Sequence, residues 1–357
     1  MPPHKIGPLR TTQPSPSGDD QKWQASLSTV AAVMIALFAA GCTNQPAGND
    51  TSGSAGQGSS ESRGTIRVVA TVGMVADLVR EVGGSYVEVQ QLLGAGTDPH
   101  LYKVTRDDVQ RIMQAEIVFY SGLMLEGKMI DTLVKVARSK PVYAVTESLD
   151  PALLLEPEEF AGHYDPHVWM DVAAWSACVE TVRQALTDFD QAHASEYDAN
   201  AQAYQQVLAD LDAYGKKCLA TVPTESRVLV TSHDAFNYFG RAYGLEVYGV
   251  QGISTESEAG LQQINQLVDL LVNRNVKAVF VESSVPQKNV EALASGAKSR
   301  GREVRIGGVL YSDAMGETGT YEGTYVGMLD HNITQVTRAL GGEAPAKGLN
   351  GKLVQAP

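Results

Sequence analysis

Seven residues near the middle of the chain recur at intervals of 4, 3, 4, 3, 4 and 3: Tyr197, Ala201, Tyr204, Leu208, Leu211, Gly215 and Cys218. That is one face of an α-helix. Ser195 followed by Asp198 resembles a capping box with Asp at the third position, and Pro223 ends the run. The pattern predicts a helix over 194–221, about 42 Å long at 1.5 Å per residue. A rod of that length either crosses between two domains or lies as an ordinary long helix inside one.

Strand-like and helix-like stretches alternate on both sides of it. Before it come strands at 66–70, 86–93, 117–120 and 142–145, with helices at 74–82, 104–114 and 128–138. After it a similar unit restarts, with strands at 227–231, 246–250, 278–281 and 304–309 and helices at 236–243, 258–273, 290–300 and 323–340. This order predicts an α/β fold of two lobes, each a mainly parallel sheet covered by helices, with the long periodic segment between them. At 357 residues the chain is too long for one ordinary domain. Its 41 acidic against 28 basic residues, net −13, argue against nucleic-acid binding, which needs clustered Lys and Arg. Three cysteines are too few for a disulfide scaffold or a Cys-built zinc module. Cys178 and Cys218 are left as either a disulfide or two buried thiols.

The run LSTVAAVMIALFAA at 27–40 carries no charge and is too short to span a membrane, but fits the apolar core of a signal peptide, with Lys22 as its positive flank. Ala39-Ala40-Gly41-Cys42 then resembles a bacterial lipobox, in which the cysteine is lipidated and becomes the mature N-terminus; an ordinary cleavage site is the alternative. The long lead before Lys22, with Asp19 and Asp20, suggests a start upstream of the true one. Residues 43–64, rich in Gly and Ser and poor in apolar side chains, cannot offset their ordering entropy and read as a flexible tether. The expected division is a signal peptide over 1–41, a tether over 42–64, an N-terminal lobe over 65–193, a linking helix over 194–222 and a C-terminal lobe over 223–357. The product is an exported protein, lipid-anchored to the cell envelope in the periplasm or on the outer face of the cytoplasmic membrane.

In open α/β sheets, ligands bind beyond the carboxyl ends of strands. Four residues of ligand chemistry are expected on loops of that kind: His100 in Asp98-Pro99-His100, His167 in Asp165-Pro166-His167, His233 after the strand ending at Thr231, and Asp313 in Ser312-Asp313-Ala314-Met315-Gly316. Each alone is ordinary. The repeated Asp-Pro-His is not, because proline fixes the backbone ahead of the imidazole. Three imidazoles and one carboxylate would complete a zinc-like set. Glu282 ends a strand in the same region and could support an imidazole. His163 is a candidate auxiliary ligand, although a solvated loop side chain is the more ordinary reading. Glu256 and Glu258 could line a cleft or simply favour a helix start. Trp169 and Trp175 read as core, and His193 and His331 as helix-edge residues.

With these segments, and with 251–258 and 281–284, the chain resembles the metal-specific solute-binding lipoproteins of ABC transporters, the TroA-, ZnuA- and PsaA-type group, over roughly residues 65–342. The resemblance implies two pseudo-symmetric lobes joined by one long rigid helix, with a metal buried between them and held by His100, His167, His233 and Asp313. It also implies a partner permease with its cytoplasmic ATPase. Members with Glu in place of His233 tend to bind manganese or iron. The imidazole here favours Zn2+, with Mn2+ the competitor. No P-loop occurs, so ATP hydrolysis belongs to partners. The expected protein is a monomer that binds a divalent ion and no nucleic acid, and is not an enzyme. A zinc hydrolase, a binder of chelated metal and a surface adhesin are the alternatives. No His-Glu-x-x-His helix supports the first. A stiff linking helix would restrict hinge opening and leave metal release to local loop movement in the second lobe.

Overall fold

A computed structural model describes residues 64–354 except Ala161. The signal peptide, Cys42 with its expected lipid, and the tether up to Arg63 lie outside the described residues.

The first lobe begins with β1 (Ile66–Ala70), α1 (Gly73–Gly83), β2 (Val87–Gln91), α2 (Arg106–Gln114), β3 (Ile117–Tyr120), α3 (Ile130–Val136) and β4 (Val142–Ala144). Its four strands pair in parallel in the order β2-β1-β3-β4. β1 and β3 are almost wholly buried, as parallel strands covered by helices on both faces are. Two helices follow, α4 (Val172–Phe189) and α5 (Ala194–Leu219). The second lobe comprises β5 (Val228–His233), α6 (Asn237–Tyr243), β6 (Glu246–Gln251), α7 (Leu261–Asn273), β7 (Ala278–Glu282), α8 (Lys288–Ser299), β8 (Arg305–Leu310) and α9 (Tyr325–Ala339). Here β5 pairs with β6 and β7 with β8, all parallel, and β5 runs beside β7.

The long helix is present as α5, 26 residues and about 39 Å. All seven residues of its periodic face are buried. It packs on α1 and α4 of the first lobe and on α6 and α9 of the second. Its start differs from expectation. The N-cap is His193 with no side-chain cap; Ser195 bonds Glu196, and Asp198 pairs with Arg183 at 2.7 Å. Arg183 offers Asp198 a charged partner, which outcompetes a backbone N–H. A capping box does form at α2, where Thr105 and Asp108 exchange backbone hydrogen bonds.

α4 carries no counterpart among the expected elements, although Asp171 caps it through the N–H groups of Ala173 and Ala174 and its apolar stripe is regular. Cys178 and Cys218 are both buried free thiols.

One apolar core runs without a break from β1 and α1 through α4 and α5 to α6 and α9, and a smaller one fills the space under β5–β8, α7 and α8. Polar ties cross the larger core. Buried Asp77 accepts from the Tyr325 backbone N–H at 3.0 Å and from the Tyr204 hydroxyl. The Tyr325 hydroxyl donates to the Trp169 carbonyl, and the Trp169 indole N–H to the Ser312 carbonyl at 3.0 Å. Burial raises the Asp77 carboxyl above the usual range against these donors and the nearby Arg80 charge.

Candidate metal centre

His100, His167, His233 and Asp313, spread over more than 200 positions of chain, come together in one buried cluster whose nitrogen and oxygen atoms lie within 4.8 Å of one another. Three lie on connections that follow parallel strands and one at the end of such a strand. His100 lies on the loop after β2 and His167 after β4, while Asp313 is three residues past β8. His233 differs from expectation, being the last residue of β5 rather than part of the loop beyond it. The strand runs on because the His233 backbone N–H finds Glu282 Oε1 at 2.8 Å on neighbouring β7, and His233 pairs in register with Gln251.

Each imidazole is aimed by a carboxylate. Asp98 Oδ1 accepts the backbone N–H of His100 at 2.9 Å, and Asp165 Oδ1 accepts that of His167 at the same distance. The aspartate of each Asp-Pro-His thus closes a turn on its own histidine, so the aim comes from Asp as much as from Pro. Asp165 Oδ1 also takes His167 Nδ1 at 2.7 Å, and Glu282 Oε2 takes His233 Nδ1 at 2.5 Å. Both rings thereby turn Nε2 inward, as metal-ligating histidines with a carboxylate partner do. The carboxylate of Asp313 is placed by a tethered loop: Tyr311 exchanges two hydrogen bonds with Asn332, and Ser312 meets Ser284.

The inward atoms are spaced as an ion would require. His100 Nε2 to His167 Nε2 is 3.3 Å, His167 Nε2 to Asp313 Oδ1 3.4 Å, and His233 Nε2 to Asp313 Oδ2 3.2 Å. His100 Nε2 to Asp313 Oδ2 is 3.7 Å. Ligands at the roughly 2.0–2.1 Å bond lengths of zinc, set tetrahedrally, stand about 3.3 Å apart. Among the described residues, His233 Nε2 and both Asp313 oxygens are fully buried without a hydrogen-bond partner. Buried polar atoms are rarely left so, and these three all face one point.

The electrostatics of this cluster are steep. Burial drives the His100 imidazole down to about 3 despite the nearby Asp313 charge. Burial also opposes charge on His167, but Asp165 and then Asp313 outweigh it and lift the ring to about 9. His233 lies well above its ordinary value, because Asp313 and Glu282 together overcome its burial. Burial raises Asp313, yet the charges of His233 and His167 hold it well below the usual carboxylate range.

The remaining candidates lie elsewhere. His163 is exposed, its ring tilted against that of Phe160. Glu256 and Glu258 are exposed and pair with Lys128 and Lys288. His193 stacks on Tyr86 and bonds Asp190, and His331 bonds the Val309 carbonyl. Trp169 and Trp175 are core. The part played by Asp165 on the ring of His167 escaped sequence reasoning. Its signal was an acid two residues before His100 and before His167, which reads equally as an ordinary turn.

Two α/β lobes, a helix packed on both, and a buried cluster of ligand chemistry drawn from three loops and the end of β5 define a two-lobed binding protein. The chain belongs to the family described as zinc-uptake complex component A, periplasmic, which matches residues 68–339. It is 46% identical over 312 residues to the manganese-binding lipoprotein MntA of Bacillus subtilis, covering 87% of this chain and 98% of that one. It is also 46% identical to the periplasmic zinc-binding protein TroA of Treponema pallidum, whose structure superposes with a TM-score of 0.75 over 78% of this chain and 99% of that one. Fe(III)-bound YtgA of Chlamydia trachomatis, 26% identical, superposes with a TM-score of 0.69 over 78% and 99% of the two chains. The family is one of solute-binding transport components, not hydrolases.

Proposed function

We propose that this protein captures a bare divalent transition-metal ion outside the cytoplasmic membrane and hands it to an ABC permease driven by a cytoplasmic ATPase. Nε2 of His100, His167 and His233 and one or both oxygens of Asp313 are the ligands. The lobes are 65–193 and 223–357, so each gives two ligands and the ion clamps one to the other. Zinc is the favoured cargo, because three nitrogens and one oxygen suit it and manganese prefers oxygen. Similarity to both a zinc-named and a manganese-named relative keeps manganese in competition. A shell closed by four protein ligands leaves no coordinated water for hydrolysis. Cys42 carries the lipid that holds the protein at the envelope, where one acyl chain would bind weakly and several firmly.

The observation that supports this most directly is the convergence of four buried ligand side chains, with His233 Nε2 and both oxygens of Asp313 buried there without a hydrogen bond. The test is metal analysis of protein purified without added metal, followed by zinc–manganese competition. One equivalent of metal is expected, with zinc displacing manganese. His233→Ala is expected to fold normally and to lower zinc affinity by at least about a hundredfold, as loss of one of four bonds implies. Unchanged affinity would remove His233 from the shell, and manganese displacing zinc would reverse the choice of cargo.

A further inference from the structure

Each Asp-Pro-His aspartate uses its two oxygens differently. Oδ1 closes the turn on its own histidine, while Oδ2 accepts a hydrogen bond from the second lobe: Asp165 from Asn237 at 3.2 Å, Asp98 from the Thr255 hydroxyl at 2.6 Å. The two cross-lobe ties are unequal. The His167 turn is also held by the Tyr238 hydroxyl on the Asp165 carbonyl and by Arg241 on neighbouring Asp171, both from α6. Among the described residues, the hydrogen bond from the second lobe onto the His100 turn is that of Thr255 alone. Thr255 lies outside any helix or strand, between β6 and α7, so it can shift without unwinding either. A cavity of about 110 Å³ opens beside this contact, lined by Asp98, Leu101, Gln251, Thr255 and Val285 among others.

We propose that Thr255 is a positioning residue for His100, a latch reaching from the second lobe that fixes the Asp98 turn and thereby sets how fast the cleft releases its ion. This rests on the metal-capture reading above. While the hydroxyl holds Asp98 Oδ2, the opposite oxygen holds the His100 backbone, and the ring stays aimed at the other ligands. When the 252–260 segment swings away, the Asp98 turn loses its tie to the second lobe, and His100 is the ligand free to leave first. The exposed Lys128–Glu256 ion pair, 3.3 Å apart and one residue further along, crosses the same gap but touches no ligand turn.

The test uses the wild-type protein with Thr255→Val, Thr255→Ser and Lys128→Gln variants, each loaded with Zn2+ and mixed rapidly with excess chelating dye. Thr255→Val keeps the side-chain shape and removes the hydroxyl. It is expected to release zinc about tenfold faster or more, the scale of a lost hydrogen bond to a carboxylate, with association within about twofold and metal-free melting unchanged. Thr255→Ser is expected to restore slow release, and Lys128→Gln to change it less than about twofold, as exposed pairs do. Three results would overturn the latch: release from Thr255→Val at the wild-type rate, faster release accompanied by a matching fall in metal-free melting temperature, or equal acceleration by Lys128→Gln. Wild-type protein that binds neither zinc nor manganese would defeat the capture reading itself, a result distinct from all three.

Discussion

An imidazole buried between two carboxylates holds a proton until something better displaces it. His167 stands between Asp165 and Asp313, and His233 between Glu282 and Asp313, and both rings are raised above the ordinary histidine value. A dication entering the cluster therefore replaces two imidazolium charges, and its balance against the three carboxylates is unchanged. Proton and metal compete for the same Nε2. Because Asp165 and Asp313 lift His167 to about 9 and His233 lies well above its ordinary value, zinc affinity is expected to keep rising with pH through neutrality. Each displaced proton makes the slope about tenfold per pH unit below its pKa. An unperturbed histidine would place this window near about 6.5. Competition titrations from mildly acid to alkaline pH decide, and a plateau already reached by pH 7 would contradict the burial of protonated rings. Glu282→Gln tests the His233 ring from its other nitrogen. It weakens the acceptor on His233 Nδ1 and is expected to lower zinc affinity by about 10–100-fold without unfolding the chain, measured by the same competition.

At the level of elements, the periodic face of α5 carries a packing demand at Gly215. A Cβ there would meet the Tyr243 ring at 2.8 Å, and Tyr243 is itself buried against α5. Gly215→Val is expected to cost about 1–3 kcal/mol by overpacking, read as a lower urea midpoint, while zinc affinity of the folded protein stays as it was. A neutral result would mean that α5 and α6 can slide apart at that crossing. Period made α5 visible in the sequence, and apolar β-branched runs made β1, β3, β5 and β7 visible. α4 was less so, because Ala173, Ala174, Ala177 and Ala185 dilute its apolar stripe and its start follows a short helical turn at 168–170. The ends of elements were set by contacts that sequence does not display. β5 reaches His233 because Glu282 receives its backbone, and the expected cap of α5 gives way because Arg183 claims Asp198. The four candidate ligands could be named from motif and strand-end position. Thr255 and Asn237 could not, since their partners lie 157 and 72 residues away and neither carries ligand chemistry.

At the scale of the whole molecule, the seam between the lobes is core rather than hinge. The larger apolar cluster continues across it through Trp169, Trp175, Tyr204 and Tyr325, and the ties from Asp77, Trp169 and Tyr325 are buried inside it. Exposing even about 400 Å² of apolar surface there would cost about 10 kcal/mol. A wide swing of one lobe is therefore too costly to be the way in or out for an ion, whereas movement confined to the His100 turn and the 252–260 segment leaves the core closed. Metal binding then raises stability without reshaping the molecule. With zinc at a thousand times its dissociation constant, linkage adds about 4 kcal/mol, which calorimetry reads as a higher melting temperature that chelator reverses. Small-angle scattering on the same samples is expected to give radii of gyration for metal-free and loaded protein within about 0.5 Å, since the elements of both lobes stay packed on α5. A contraction of several ångströms on loading would mean that the continuous core opens after all, and that release runs through the lobes rather than through the loop that carries His100.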